Sequence, residues 1–416
     1  MKLARHLRRL SGAIAVLALI AGPAPGAPQQ PPSIARPTGG LPAAAGRPTN
    51  AKIEARKAPP LLLAPSWTID LPSPPFPGAA VDGTRGYVVL RSSTLVAVAL
   101  ESGVVLWSVP TDPVVAPPVA GDGLVILAHA REIEAVERDG GPRRWRVDAD
   151  APVSAPLVWT PGGLVVPTER GVTMLRPATG EVIWARAFDA PPRIQPAADR
   201  ERIYVALDDG RVAALAARTG RTAWETRLPS PATMIDASDG RVFVGGADKF
   251  LSCFSADRGK RKWRWRTGAA PVGRVATDRH HVYFVAIDNV LRALDCGHGQ
   301  QAWKATLAHR PTGGVFLAAR LLWVPGIAAE VAAYQTIDGS AIAVSPLAGD
   351  PAAPPQLRFS PSGSFEGAFV VSGDGQAQWL VPGPPPLPAK PVPGLPMGLP
   401  EIKGALSKGQ PIVGAG

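Results

Sequence analysis

The chain has 416 residues, a formal net charge of +11 and only two cysteines. The charge lies near the ends, because residues 1–27 carry +4, residues 28–66 carry +4 and residues 382–416 carry +2. Residues 67–381 hold 32 basic and 31 acidic side chains, so this part of the chain lacks the strong positive charge typical of nucleic-acid-binding domains. The composition therefore excludes nucleic acid as the expected partner.

Residues 1–27 have the composition of a secretory signal peptide. Basic residues precede an apolar run from Leu10 to Ala21, and Ala24 and Ala27 are candidate cleavage positions. The run is shorter than the about 20 residues that cross a bilayer, so we expect no transmembrane span after signal removal. An uncleaved N-terminal anchor is the alternative. No cysteine lies near the cleavage positions, so we expect no lipid attachment there.

Proline-rich segments flank the central part of the chain. Residues 28–66 contain nine prolines and residues 382–416 contain ten, without a periodic apolar pattern. We expect a Pro/Ala-rich linker in the first and a Pro/Gly-rich flexible tail in the second. The stretch from Pro384 to Pro396 is either a polyproline ligand for a partner groove or a solvated spacer.

A repeat of 38 to 40 residues dominates the chain between these segments. Its first marker is a turn glycine, found at Gly103, Gly141, Gly180, Gly220, Gly259, Gly299 and Gly339. Its second marker is a tryptophan four residues after each of the first six glycines, at Trp107, Trp145, Trp184, Trp224, Trp263 and Trp303. A fixed period of this length indicates a repeat architecture.

Each repeat contains short strands separated by tight turns. In residues 203–228, two apolar runs and an alternating run that holds Trp224 are separated by Asp-Asp-Gly and Arg-Thr-Gly. An inner strand near Ile194–Ala198 completes a four-stranded antiparallel unit. Such units stack radially as the blades of a β-propeller, in which the tryptophan packs between blades and donates its N–H to a backbone carbonyl.

The blade count depends on both chain ends. Eight strand pairs can be counted along the repeats. The last pair begins near Phe369 and is not followed by a fourth strand. Trp67, 40 residues before Trp107, lies in Ser66–Leu71, which has no hairpin in front of it. We therefore predict an eight-bladed propeller over residues 67–381, in which Ser66–Leu71 completes the eighth blade and removes an open edge. A seven-bladed ring is the structural alternative.

The motif A-x-D-x-x-T-G-x-x-x-W resembles that of pyrroloquinoline-quinone-type (PQQ-like) propeller repeats. It appears from Ala214 to Trp224 and from Ala293 to Trp303, with the motif aspartate kept only as Asp295. The resemblance implies either a quinoprotein alcohol or sugar dehydrogenase or a non-enzymatic scaffold of the BamB type, and the fold alone does not choose between them.

The sequence gives no pattern from which catalytic, cofactor-binding or metal-binding residues can be named. The resemblance implies that a large quinoprotein dehydrogenase would have adjacent cysteines, but Cys253 and Cys296 are 43 positions apart. The two cysteines are expected either as buried thiols or as a disulfide. Asp208-Asp209 is interpreted as a turn rather than a calcium site, and His280-His281 lacks zinc-ligand spacing.

Two surface features are candidates for binding. Arg258–Arg266 places six basic residues around two tryptophans, and we interpret it as an outer strand with its charges toward water. A docking patch for an acidic partner or anionic lipid is the alternative. Trp159, Trp265 and Trp323 are candidate surface tryptophans for a glycan.

The sequence therefore favours a periplasmic or secreted, monomeric propeller that acts as a protein-interaction scaffold without a cofactor. Its expected partners are unidentified proteins of the cell envelope, with a role in envelope or outer-membrane protein assembly. The alternative is a small quinone-dependent oxidoreductase or ligand sensor that uses the propeller axis.

Overall fold

The computed structural model describes residues 62–140 and 143–383, and over these ranges the fold is all-β. The described residues form eight four-stranded antiparallel sheets, which confirms the predicted eight-bladed propeller. No helix capable of crossing a bilayer occurs within the described ranges. Strands rather than helices form because each repeat consists of apolar runs of about six residues between glycine- and aspartate-containing turns.

Blades 1 to 4 follow one another along the chain, each contributing four consecutive strands. Blade 1 contains β2 (Pro75–Asp82), β3 (Arg85–Leu90), β4 (Thr94–Ala99) and β5 (Val105–Pro110). Blade 2 contains β6 (Val119–Gly121), β7 (Leu124–Ala128), β8 (Glu132–Glu137) and β9 (Arg143–Asp148). Blade 3 contains β10 (Val158–Thr160), β11 (Gly163–Thr168), β12 (Gly171–Leu175) and β13 (Val182–Ala187). Blade 4 contains β14 (Ala197–Ala198), β15 (Arg202–Ala206), β16 (Arg211–Ala216) and β17 (Thr222–Arg227).

Blades 5 to 7 repeat the arrangement, and blade 8 combines strands from both ends of the described chain. Blade 5 contains β18 (Ala232–Ser238), β19 (Arg241–Gly246), β20 (Phe250–Ser255) and β21 (Arg261–Arg266). Blade 6 contains β22 (Pro271–Thr277), β23 (His281–Ala286), β24 (Val290–Asp295) and β25 (Gln301–Thr306). Blade 7 contains β26 (Phe316–Ala318), β27 (Leu321–Gly326), β28 (Glu330–Gln335) and β29 (Ala341–Pro346). Blade 8 contains β30 (Gln356–Phe359), β31 (Phe365–Val371), β32 (Gln376–Gly383) and β1 (Leu62–Asp70).

The closure of the ring agrees with the prediction from the two chain ends. β1 pairs antiparallel with β32, and Trp67 lies directly opposite Trp379. The strand begins at Leu62, which is earlier than the predicted start at Ser66. Because β1 covers the outer edge of β32, the N-terminal strand completes the last blade.

The apolar core is divided among the interfaces between adjacent blades. The cluster between blades 4 and 5, for example, joins Tyr204, Ala214 and Trp224 to Val242 and Phe254. Comparable clusters lie between all other neighbouring blades of the described chain, including blades 8 and 1. Each sheet is thus buried on both sides by its neighbours, so the ring depends on every contact between blades.

The alternating strand directions produce two faces. Turns between second and third strands, such as Ile287–Asn289, lie on one side with the connections between blades, and we call this side the hairpin face. Turns between third and fourth strands, such as Arg218–Gly220, lie on the other side, the docking face. First strands of neighbouring blades contact one another around the axis, and fourth strands form the outer rim.

Candidate interaction surfaces

The repeated tryptophans and turn glycines lie in contact across the interfaces between blades. Each indole packs on a glycine of the following blade, in the pairs Trp67–Gly103, Trp107–Gly140, Trp145–Gly180, Trp184–Gly220, Trp224–Gly259, Trp263–Gly299 and Trp303–Gly339. In chain order the indole N–H groups donate to the carbonyls of Leu100, Arg138, Pro177, Ala217, Ala256, Cys296 and Thr336, over 2.7–3.0 Å. The predicted glycine of blade 2, Gly141, lies outside the described residues.

Blade 7 has Ala343 at the tryptophan position, and the closure of the ring explains why. A tryptophan at position 343 would have to pack on the turn between the third and fourth strands of blade 8. That turn does not exist, because β32 and β1 come from distant parts of the chain. Instead the Leu63 N–H of β1 donates to Ser345 Oγ over 3.0 Å. Trp323, paired with Ala333 on the neighbouring strand, is buried at this interface.

Gly220→Ala should destabilise the protein more than Gly240→Ala. Both glycines have positive φ, 67° and 70°, which an added Cβ makes unfavourable. At position 220 the new carbon would also lie 2.4 Å from the Trp184 ring, whereas nothing lies within 4 Å at position 240. We expect losses of about 3 and about 1 kcal/mol in the free energy of unfolding. Urea denaturation measures both; equal losses would contradict a tight contact between Trp184 and Gly220.

The two cysteines are free thiols buried in the interface between blades 5 and 6. Burial raises the pKa of Cys253 to about 12 and that of Cys296 to about 11, so both stay protonated at neutral pH. Their place in an apolar cluster corresponds to the expected role as small hydrophobic side chains.

The resemblance implies calcium ligands for a quinone site and, in the larger dehydrogenases, an adjacent cysteine pair, and the described residues provide neither. Within residues 62–140 and 143–383, no group of three or more His, Cys, Asp or Glu side chains could hold a metal ion. The two thiols are enclosed between blades and do not form the cysteine pair. We therefore assign no cofactor-binding residue.

The paired aspartates and paired histidines are parts of turns. Asp209 accepts a hydrogen bond from the Arg211 guanidinium over 2.7 Å. The backbone N–H groups of His280 and His281 both donate to Asp278 Oδ1 over 2.7 Å, and the Tyr283 hydroxyl donates to its other oxygen. These hydrogen bonds stabilise hairpin turns, which agrees with the turn interpretation.

The basic segment Arg258–Arg266 supplies the outer strand of blade 5. Trp263 points into the blade interface, while Arg261, Lys262 and Arg266 are exposed. Arg264 pairs with Asp248 and lies over the Phe250 ring, 3.6 Å from its centre. The alternation matches the predicted outer strand, and the three exposed cations form a basic strip on the rim.

Of the three candidate glycan-binding tryptophans, Trp323 is buried, so the prediction was wrong for this residue, whereas Trp159 and Trp265 are half-buried. Trp323 is 2% exposed. Trp159 lies against Gly121 of the preceding blade. Trp265 packs on Phe284 and faces the Arg292 guanidinium, 5.6 Å from its ring centre. Trp159 and Trp323 lie on inner strands, which neighbouring blades cover on both faces, whereas Trp265 lies on the outer strand and its ring packs against blade 6.

A buried polar cluster between blades 1 and 2 was not identified from the sequence. Glu134 contacts His129 Nε2 over 3.2 Å and accepts a hydrogen bond from Arg143 over 2.9 Å. His129 Nδ1 faces the Pro113 carbonyl at 3.1 Å. Burial alone would lower the pKa of His129, but its hydrogen bonds to these two acceptors raise it overall. The two ring nitrogens of His129 thus link the Pro113 carbonyl to Glu134, which connects blade 2 with the segment that joins it to blade 1.

The hairpin face exposes two isoleucines at equivalent positions of adjacent blades. The backbone N–H groups of Ile287 and Ile327 donate to the connections from the preceding blades, and the two side chains are 41% and 49% exposed. In other blades, the residue whose backbone N–H donates to the connection from the preceding blade is Arg91, Glu169, Asp208, Ala247 or Gly373. Large apolar side chains therefore occur only in blades 6 and 7 within this set.

Comparison with known proteins places the chain in a family. The family model described as the outer membrane protein assembly factor BamB, with PQQ-like repeats, matches residues 129–238 and 208–376. The chain belongs to this family. The match spans blades 2 to 8, so the resemblance carried by the repeat motif is confirmed.

The similar solved structures and the curated relative include a BamB protein and quinohemoprotein alcohol dehydrogenases. BamB from Moraxella catarrhalis is 16% identical with a TM-score of 0.63, and the match covers 77% of this chain and all of that one. The quinohemoprotein alcohol dehydrogenase ADHIIG of Pseudomonas putida HK5 is 15% identical with a TM-score of 0.62, covering 80% of this chain and 78% of that one. These likenesses show the fold alone.

The curated relative matches over a short region. Quinohemoprotein alcohol dehydrogenase ADH IIB of Pseudomonas putida is 33% identical over 79 residues, which cover 16% of this chain. The chain spans about a tenth (11%) of the length of that relative. A match of this extent corresponds to about two blades of the propeller.

Proposed function

We propose that this protein is a non-catalytic interaction scaffold of the cell envelope, periplasmic or secreted, with a role in outer-membrane or envelope protein assembly. Membership of the family described by BamB supports this proposal. The observation that carries it is the pair of exposed isoleucines, Ile287 and Ile327, on the hairpin face. These two water-exposed apolar side chains, at equivalent turns of adjacent blades, are called the isoleucine patch, and a partner that spans blades 6 and 7 would cover both.

The surroundings of this patch suit a protein contact. His309 Nε2 lies 3.4 Å from Glu330 Oε1, so two polar side chains are in contact beside Ile327. On the other side, next to Ile287, Asp288 is half-buried and is paired with the buried Arg292. An apolar centre with a polar rim is the usual arrangement of a protein interface, so blades 6 and 7 are the proposed contact region.

The experiment is affinity capture from detergent-solubilised envelope extracts. Wild-type protein should retain a partner that Ile287→Lys with Ile327→Lys loses, because two charges replace the apolar patch. The matched control is Ile337→Lys, which changes an isoleucine that is 79% exposed on the docking face. This control should retain the partner. Repeated recovery of wild-type protein alone would contradict the scaffold, and capture unchanged by the double variant would contradict this contact region.

The quinoprotein alternative is tested separately. Mature protein is titrated with pyrroloquinoline quinone and calcium in a calorimeter, and dye-linked oxidation of alcohols and sugars is measured. We expect neither binding nor turnover, because the described residues do not provide the required ligands. Tight binding with turnover would overturn the non-catalytic proposal.

A further inference from the structure

A cavity of about 190 Å³ lies between blades 2 and 3, away from the isoleucine patch. Ile133 lines it from blade 2, and Val166, Thr173 and Leu175 line it from blade 3. Val182, which is 62% exposed, lies at its outer side, so the cavity opens toward the rim. An apolar cavity of about 150 Å³ is sufficient to bind benzene, so this one accepts a side chain or a small organic group.

The cavity exists because this interface has smaller side chains than its counterpart between blades 5 and 6. In blade 3, Val166 pairs with Thr173 across neighbouring strands. At the same position of the repeat in blade 6, Phe284 pairs with Arg292. The blade before each interface differs in the same way. Ile133 pairs with Val147 in blade 2, whereas Leu251 pairs with Trp265 at the equivalent position of blade 5.

Those larger residues fill the interface between blades 5 and 6. The Trp265 and Phe284 rings are in contact at a centroid separation of 6.3 Å, and the Arg292 guanidinium lies over Trp265. Arg292 is also paired with Asp288 within blade 6. Two aromatic rings and a guanidinium therefore fill the interface between blades 5 and 6. The corresponding space between blades 2 and 3 is open.

The entrance of the cavity between blades 2 and 3 is acidic. Asp148 and Asp150 border it, and both side chains are exposed. Asp150 accepts a hydrogen bond from the Thr168 hydroxyl over 3.1 Å, which fixes its position. Within the described residues neither carboxylate takes part in an ion pair. The site thus combines apolar walls with two unneutralised carboxylates at its entrance.

We propose that this cavity binds a lysine or arginine side chain of a partner protein. The apolar stem would lie against Ile133, Val166 and Leu175, and the cationic group would remain at the entrance beside Asp148 and Asp150. This arrangement lets a long basic side chain bury its methylene groups while its charge is paired near water. The assignment of a protein partner rests on the scaffold function proposed above.

The test uses hexylammonium as the probe and hexanol as its uncharged counterpart, with binding measured by ligand-observed NMR titration. Wild-type protein should bind hexylammonium about tenfold more tightly than hexanol, because charge-assisted contacts at the entrance add to the apolar contact. Asp148→Asn with Asp150→Asn should remove this preference and keep hexanol binding. Val166→Phe with Thr173→Arg, which copies the pair in blade 6, should remove binding of both probes.

The controls separate binding from folding. Glu101→Gln removes an exposed carboxylate on blade 1 and should keep the preference. Asp148→Lys changes an exposed position and should exclude hexylammonium even if the cavity-filling variant fails to fold. No binding to wild-type protein, or a preference that survives loss of both carboxylates, would overturn the proposal.

The same variants distinguish this inference from the scaffold function. Envelope-protein capture that is lost on Asp148→Lys, together with probe binding, supports a basic side chain in the cavity. Capture that is unchanged by Asp148→Lys and by the cavity-filling variant overturns the cavity as a partner site and leaves the scaffold intact. Failure of wild-type protein to capture any partner contradicts the scaffold, whatever the probe shows.

Discussion

Trp224→Ala is expected to lower the free energy of unfolding by about 3–5 kcal/mol, the range for removing a buried large aromatic side chain. Trp224 is 8% exposed and lies between the Tyr204 ring, at 5.9 Å, and Gly259 of the next blade. Its N–H donates to the Ala256 carbonyl over 2.8 Å. Truncation would leave a cavity across the interface between blades 4 and 5 and a carbonyl without this partner.

Trp224→Phe separates the two contributions. It keeps most of the ring contact but removes the hydrogen bond, so we expect a loss of about 1–2 kcal/mol. Urea denaturation followed by far-ultraviolet circular dichroism measures both variants. Ala343→Trp is the matched comparison in blade 7 and should give no stabilisation, because the next blade lacks the docking turn. A loss below 1 kcal/mol for Trp224→Ala would contradict the structural role of the tryptophan.

A chain that begins at Leu71 should fail to form a stable soluble ring. It lacks β1, and with it the side chains of Leu63, which is 4% exposed, and Trp67, which packs against Gly103 and Phe369. Burial of these two side chains supplies at least about 5 kcal/mol, which is comparable to the total stability of many domains. The truncation also leaves the outer edge of β32 without a partner, so we expect aggregation.

Size-exclusion chromatography with light scattering, together with thermal unfolding, tests this expectation. A chain that begins at Leu62 keeps β1 and is the control, which should elute as a folded species. A synthetic peptide of residues 62–71 should restore folding to the truncated chain by pairing with β32. A truncated chain that stays soluble with an unchanged unfolding temperature would show that β1 is not required for closure.

The repeat period and the two incomplete chain ends together explain how far the sequence predicted the fold. The glycine–tryptophan period indicated a four-stranded blade, because a turn glycine with positive φ and an indole packed between blades recur along most of the ring. Trp67 without a hairpin and Phe369 without a fourth strand then predicted closure. Local pattern was sufficient here because strand length, turn position and blade packing all repeat with the same period.

Side-chain exposure was harder to predict than strand position. The alternation in Arg261–Arg266 correctly separated the buried Trp263 from the exposed cations, because an outer strand has one covered face. Trp323 and Trp159 lie on inner strands, where the neighbouring blade covers side chains that the local sequence suggested were at the surface. Their packing depends on residues of neighbouring blades, such as Gly121 for Trp159 and Leu63 for Trp323, which a single repeat does not contain.

The sequence by itself determined the repeat, the number of blades and the strand that closes the ring, since each follows from the order of residues along the chain. Only the tertiary structure decided where the surface is apolar and where an interface is incompletely filled. The cavity between blades 2 and 3 results from Val147, Val166 and Thr173, which lie on different strands of two blades. Its volume depends on how their side chains meet across the interface, and no single strand contains that information.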